Sequence, residues 1–147
     1  MNIDKLREEI AVDEGKKLEL YNDHLGYLTC GIGHWVKTTD EEWTMSVGNT
    51  ITEERCNELF EQDIQMTIND CKKVYDDWDA LPEEVKRISA NMMFNLGRPR
   101  YSKFKKMIQA IKDGDWFEAS VQMTDSKWYK QVPNRAKRLV ERMRVVS

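Results

Sequence analysis

The sequence predicts an α+β fold, mostly helical, with a small N-terminal antiparallel sheet lobe joined by a long helix to a helical C-terminal lobe. Three observations predict it. Residues 17–36 alternate apolar and polar side chains around a turn signal, whereas most later segments repeat at helical spacing. Residues 52–74 carry an apolar stripe of about six turns, long enough to bridge two lobes. A chain of 147 residues suits one compact domain. The expected boundaries are a sheet lobe over about 13–60, an inter-lobe helix over about 52–73, and a helical lobe over about 74–147 that also takes in a helix at 3–14.

Ile3, Leu6 and Ile10 set the stripe of the first helix, and Gly15 is placed to stop it. Four residues past Ile10 the same stripe reaches Glu14. Leu18 and Leu20 then alternate with polar neighbours, and Asn22-Asp23-His24-Leu25-Gly26 reads as a turn. Alternation resumes from Tyr27 to Val36. It puts Tyr27, Thr29, Gly31 and Gly33 on one strand face and Leu28, Cys30, Ile32 and His34 on the other. Glycines at 31 and 33 clear the first face, as where a ligand approaches the backbone. A hairpin or a three-stranded antiparallel sheet follows.

Residues 37–50 are polar and read as a connecting loop. Thr52 caps the long helix, whose stripe is Cys56, Leu59, Phe60, Ile64, Ile68, Cys71 and Val74. Asp63 falls in that stripe and needs a partner if buried; His34, facing inward from its strand, is the best candidate for a structural ion pair. Pro82 opens the next helix at its first position, and Gly97 closes it after the nearly all-apolar run ISANMMFNL. Asn91 and Asn95 share one face of it, either satisfying local backbone groups or, for Asn95, facing a cleft. Short helices follow around Phe104–Ile111, after an Asp115/Glu118 capping box, and at Trp128-Tyr129, and Pro133 starts the last.

The totals exclude several classes. No apolar run approaches the roughly 20 residues of a membrane span, and the first residues lack the pattern of a signal peptide. Cys30, Cys56 and Cys71 have no metal-ligand spacing and read as buried free thiols, so no metal and no cofactor is expected. The GIG tripeptide is too short for a nucleotide loop, and neither a nucleic-acid partner nor stable membrane association is expected. The net charge of −3 conceals an asymmetry: residues 126–147 hold seven Lys/Arg against Glu141 alone. That basic end suits an anionic polymer or is simply a solvated face.

The chemistry concentrates between Glu14 and His34. Glu14 extends an apolar face and sits at the negative end of a helix dipole, two conditions that disfavour its charge and suit a general acid. The alternative is a frayed, solvated glutamate at a helix end. Asp23 in a turn and Thr29 on a strand lie in different backbone contexts from Glu14, so three short polar side chains can converge on one point. That combination suits acid–base hydrolysis.

The stretches EGKKLELYNDHLGYLTCGIGH, ITEERCNELFEQD, NMMFNLG and SKWYKQVPNRAKR together resemble the T-even-phage-type lysozymes (glycoside hydrolase family 24). The resemblance covers residues 3–144 in order. Its Glu–x8–Asp–x5–Thr spacing followed by GIGH is specific, and WYxQxPNRAKR is an independent match far downstream. The resemblance implies a lysozyme-like fold and hydrolysis of the β-1,4 bond between N-acetylmuramic acid and N-acetylglucosamine in bacterial peptidoglycan.

It also implies roles. Glu14 is the proton donor, Asp23 activates or stabilises from the opposite face, and Thr29 holds the attacking water, an inverting pattern. Arg135 matches an arginine near the catalytic glutamate. Trp35, Phe94, Asn95 and Gln122 align with cleft positions, and His34 and Asp63 match a structural ion pair. The implied setting is a monomeric phage endolysin, kept in the host bacterial cytoplasm until a holin-type protein gives it access to the wall. The sequence departs from the family in a shortened stretch between His34 and Ile51, in Asn95 where a glutamine is expected, in Val132 where a capping threonine is expected, and in a pI near 5.5. Two other readings compete with hydrolysis: a wall-binding or tail-structural module that has lost activity, and a helical interaction protein.

Overall fold

A computed structural model describes all 147 residues. Eight α-helices and one three-stranded sheet form in the order α1 (Ile3–Glu14), β1 (Lys17–Asn22), β2 (Leu28–Gly31), β3 (His34–Trp35), α2 (Glu53–Val74), α3 (Glu83–Leu96), α4 (Arg98–Tyr101), α5 (Lys105–Lys112), α6 (Trp116–Thr124), α7 (Lys127–Gln131) and α8 (Pro133–Arg144). Short 3-10 turns lie at Glu41–Thr44 and Trp78–Ala80. This is the α+β class the pattern predicts. No helix is long and apolar enough to cross a membrane.

The chain divides into two compact units, Arg7–Met66 and Met1–Leu6 with Thr67–Ser147. The first helix thus divides differently from expectation: all of α1 from Arg7 onward belongs with the sheet, not with the helical lobe. The reason is local. Gly15 closes α1, donating its N–H to Ala11 (2.9 Å), and β1 begins two residues later.

In the sheet-bearing unit the strands lie in the order β1-β2-β3, all antiparallel. Tyr21 pairs with Thr29, and Thr29 in turn with Trp35. The outer edge of β1 is covered by residues 48–51, through Leu20 N–H to Asn49 (2.8 Å) and Ile51 N–H to Leu18 (2.7 Å). That leaves no open strand edge on this side for another chain to pair with. Ile10, Leu20, Cys30, Cys56, Leu59 and Ile64 form the core, each essentially inaccessible.

One expectation fails here. The alternation from Tyr27 to Val36 is not one strand: the chain turns at 31–33, with Gly31 and Gly33 both at φ 63°. Those glycines therefore turn a corner and do not share a strand face with Thr29. Gly31 is further constrained because a Cβ there would lie 3.2 Å from Cys56 Sγ on α2. Residues 37–50 connect the sheet to α2 as expected, and they include the 3-10 turn Glu41–Thr44. Glu42 is buried and takes both Nε and Nη2 of Arg55 at 2.9 Å, which ties the 3-10 turn to α2. Glu42 anchors the connection, since a charge can be buried only with its partner.

The helical unit packs α6 on α8, with α5 and α7 against this pair and α3 against α8. Its core includes Tyr75, Trp78, Ile88, Met92, Met93, Tyr101, Met107, Ile111, Met123, Trp128 and Leu139. The hydroxyls of Tyr75 and Tyr101 meet at 2.6 Å, so neither is left unpaired in the interior. Helix ends follow their local chemistry. Thr52 caps α2 by accepting from Arg55 N–H, Ser126 caps α7 by accepting from Tyr129 N–H, and Gly97 ends α3 at φ 76°. Pro82 occupies the cap of α3, one position before the expected one. The capping box at α6 is half made: Asp115 accepts from Glu118 N–H, but the Glu118 carboxylate accepts from Gln122 instead. The one-turn α4, with Pro99 in its first turn, had no apolar period to reveal it.

Candidate active site

Glu14 is the last residue of α1, whose last turn contains no basic side chain. It is half-buried, and its carboxyl lies against the backbone of Gly33, where an added Cβ would meet Oε1 at 2.6 Å. The open space at residue 33 is therefore filled by Glu14 itself and not by a ligand. Gly33 is needed twice, for its positive φ and for this close approach.

Asp23 opens the turn between β1 and β2. Its backbone N–H donates to Tyr27 O (2.9 Å), and its Oδ1 accepts from the N–H groups of Leu25 and Tyr27, both at 2.9 Å. This is an Asx turn, in which the side chain substitutes for backbone acceptors. Oδ2 accepts a third bond, from the indole Nε1 of Trp35 at 2.7 Å. Trp35 reaches it from β3, with its ring against that of Tyr27 at a centroid distance of 4.8 Å. Both rings remain open to solvent, 37% for Trp35 and 53% for Tyr27.

Thr29 stands between Tyr21 and Trp35 in the ladder and is 2% exposed. Its hydroxyl donates to Tyr27 O at 2.8 Å. With the proton committed, Oγ1 offers only acceptor sites to anything bound beside it. Tyr21, its cross-strand neighbour, has its phenol pushed up by burial first, then by the charges of Glu14 and Asp23. One side chain thus feels both carboxylates.

His34 is buried beneath this surface. Nδ1 lies 2.7 Å from Asp63 Oδ2, the expected pair, and Nε2 lies 2.7 Å from Asp40 Oδ2, which sequence reading missed. Burial lowers the imidazole, but the hydrogen bonds and charges of Asp63 and Asp40 outweigh it and hold His34 above its ordinary value. Asp40 is opposed by burial too, yet Lys37 N–H and His34 hold its carboxyl below the usual range. Asp40 was legible only as a loop residue; a carboxylate six positions after an inward histidine was the available signal.

Four other expected residues lie on the helical unit. Arg135 is 7% exposed, with Nε donating to Asn91 Oδ1 at 2.8 Å and Nη2 to Asn91 O at 3.3 Å. Asn95, read as either cleft-facing or locally satisfied, has Oδ1 committed to Trp128 Nε1 at 2.7 Å. Gln122, half-buried on α6, donates to Glu118 and lines a pocket of about 560 Å3 with Phe104, Met107 and Trp128. Phe94 is half-buried on α3. Sequence reasoning missed Tyr27, whose alternation with Thr29 hid its cross-strand contact with Trp35. The three cysteines are buried and free, and burial pushes the Cys30 thiol up to about 11. No group of three or more His, Cys, Asp or Glu side chains is placed to hold a metal ion.

Comparison with known proteins identifies the family. The phage lysozyme family profile matches residues 11–145. "Probable T4-type lysozyme 2" of Dictyostelium discoideum is 31% identical across 94% of this chain and 92% of its own length. "Pre-baseplate central spike protein Gp5" of Enterobacteria phage T4 is 33% identical across 91% of this chain, which corresponds to 26% of that longer protein. "Peptidoglycan hydrolase gp36" of Pseudomonas phage phiKMV is 32% identical across 93% of this chain and 15% of its own length. With a profile match over nearly the whole sequence, and a relative covered almost end to end, the chain belongs to the phage lysozyme family and is a glycoside hydrolase.

Proposed function

We propose that the chain is a muramidase that hydrolyses the β-1,4 bond between N-acetylmuramic acid and N-acetylglucosamine in bacterial peptidoglycan, with inversion. The observation that carries the mechanistic part is the state of Asp23. A carboxylate already accepting three hydrogen bonds is a blunted nucleophile, but a well-oriented acceptor for a water. It suits the inverting role better than attack on the sugar.

On this reading Glu14 gives its proton to the glycosidic oxygen as the bond to the anomeric carbon breaks. A water attacks that carbon from the other face and passes a proton to Asp23. Thr29, with its own proton committed to Tyr27, accepts a hydrogen bond from the water's other O–H, which stays on the new anomeric hydroxyl, and leaves the water lone pair directed at the sugar. Trp35 and Tyr27 supply an exposed aromatic surface for a sugar ring. Phe94, Asn95, Gln122 and Arg135 are proposed substrate contacts on the strength of the family resemblance. His34, Asp40 and Asp63 are structural.

The biological reading follows the endolysin of Salmonella phage P22, 29% identical over 61% of this chain, and the peptidoglycan hydrolase already described. The protein acts as a monomer that waits in the host cytoplasm and reaches the wall after a holin-type partner breaches the membrane. Analysis of the sugar ends released from purified peptidoglycan tests the chemistry. Reducing muramic acid ends, formed first as the α anomer, are expected. Anhydro ends would mean transglycosylation, and a β anomer would mean retention.

A further inference from the structure

We infer that Trp35 is a positioning residue for Asp23, its indole N–H selecting the one acceptor site of the carboxylate that is left for the attacking water. This rests on the reading of Asp23 as the group that receives or steers that water.

The argument starts from the inventory of the carboxylate. Two oxygens offer about four lone-pair sites. Leu25 and Tyr27 N–H fill those of Oδ1, and the indole fills one of Oδ2, so the remaining site is on Oδ2. An indole N–H is donor only, and a hydrogen bond to an ionised acceptor is among the stronger ones. Its direction is fixed independently of any substrate. Trp35 is held by the β2–β3 register opposite Thr29, and its ring is braced by Tyr27 at 4.8 Å. The same register places Thr29, the other acceptor proposed for the water, directly across from Trp35. A single strand pair therefore sets both ends of the water's hydrogen bonding.

Removal of the N–H would open a second site on Oδ2. Solvent would then occupy either site, and the reacting water would hold the productive position only part of the time. That lowers the rate of the chemical step and leaves substrate affinity alone. A purely packing or sugar-stacking tryptophan predicts the reverse, because stacking needs the ring face and not the N–H.

Trp35→Phe keeps a ring and removes the donor, so it separates the two roles. Turnover of solubilised peptidoglycan is expected to show kcat lowered about tenfold or more, the effect of losing a hydrogen bond to a charged group, with KM nearly unchanged. Trp35→Ala is expected to lower kcat and raise KM as well. In the unmodified protein the Trp35 indole 15N–H resonance, assigned by its absence in Trp35→Phe, should lie downfield, as a hydrogen bond to a carboxylate oxygen requires. It should move upfield in Asp23→Asn. A Trp35→Phe variant with full kcat, or with a change in KM alone, overturns the inference while an inactive Asp23→Asn leaves the hydrolytic reading standing. An Asp23→Asn variant with full activity removes that reading itself. The resonance measurement does not depend on the Trp35→Ala variant folding, and an indole N–H that ignores Asp23 also overturns the inference.

Discussion

Glu14 fills the volume that a side chain at Gly33 would claim: a Cβ on Gly33 would stand 2.6 Å from Oε1 and 2.9 Å from Cδ of the glutamate. The smallness of the turn is thereby explained by an acid and not by a sugar. Gly33→Ala should cost stability by about 1–2 kcal/mol, from the positive φ of 63° imposed on an L-residue. Displacement of the glutamate should cost activity far more, about 10²-fold, as expected when a reacting group moves by an ångström. Urea unfolding and wall turnover measured on one preparation check both parts, and proportionate losses would sink the idea.

Glu14→Gln preserves shape and removes the transferable proton. Activity should fall roughly 10²- to 10⁴-fold, the range of acid–base catalysis, with the thermal midpoint little changed. A fully active variant would overturn the assignment of the acid.

His34 and its two carboxylates give stability a bounded pH window. His34 is raised from 6.5, so its contribution is fully present below that value and is lost as pH climbs through the raised folded value. Asp40 is lowered from 3.8, so its contribution is fully present above that value and is lost as pH drops through the depressed one. Between 3.8 and 6.5 both contributions are complete. His34→Ala should lose about 3 kcal/mol in that window, from carboxylates left without their cation, and the decline on the alkaline side should flatten. Urea midpoints across a pH series decide it.

The Glu42–Arg55 pair should matter more than its surface setting in the sequence suggests. Glu42 is 1% exposed and Arg55 20% exposed. Glu42→Gln should cost about 2–3 kcal/mol and respond weakly to salt. Glu53→Gln removes an exposed pair with Lys16 and should change stability far less. Chemical unfolding of both variants at low and high salt makes the comparison; equal effects would mean that burial does not govern these pairs.

Elements with a strong period or a stop signal were readable in advance. The stripe from Cys56 to Val74 gave α2, Thr52 gave its start, and Gly15 and Gly97 gave the ends of α1 and α3, because each depends on neighbours within a turn of chain. Where two local rules conflicted, the reading failed. Alternation through Gly31 and Gly33 argued for a strand while glycine itself argued for a turn, and packing against Cys56 and Glu14 resolved it. The polar run 37–50 hid Asp40 and Glu42, since nothing local distinguishes a solvated carboxylate from one whose cation arrives from another element.

The sequence by itself determined the helical class, the place of the small sheet, and the spacing that sets Glu14, Asp23 and Thr29 in three backbone contexts, because periodicity and turn chemistry act over a few residues. Only the tertiary structure decided that the carboxylate of α1 lies on the backbone of Gly33, that Trp35 gives Asp23 its third hydrogen bond, and that His34 has two partners. Those are contacts between strands, turns and helices, fixed by register and burial, and no stretch of chain read alone contains them.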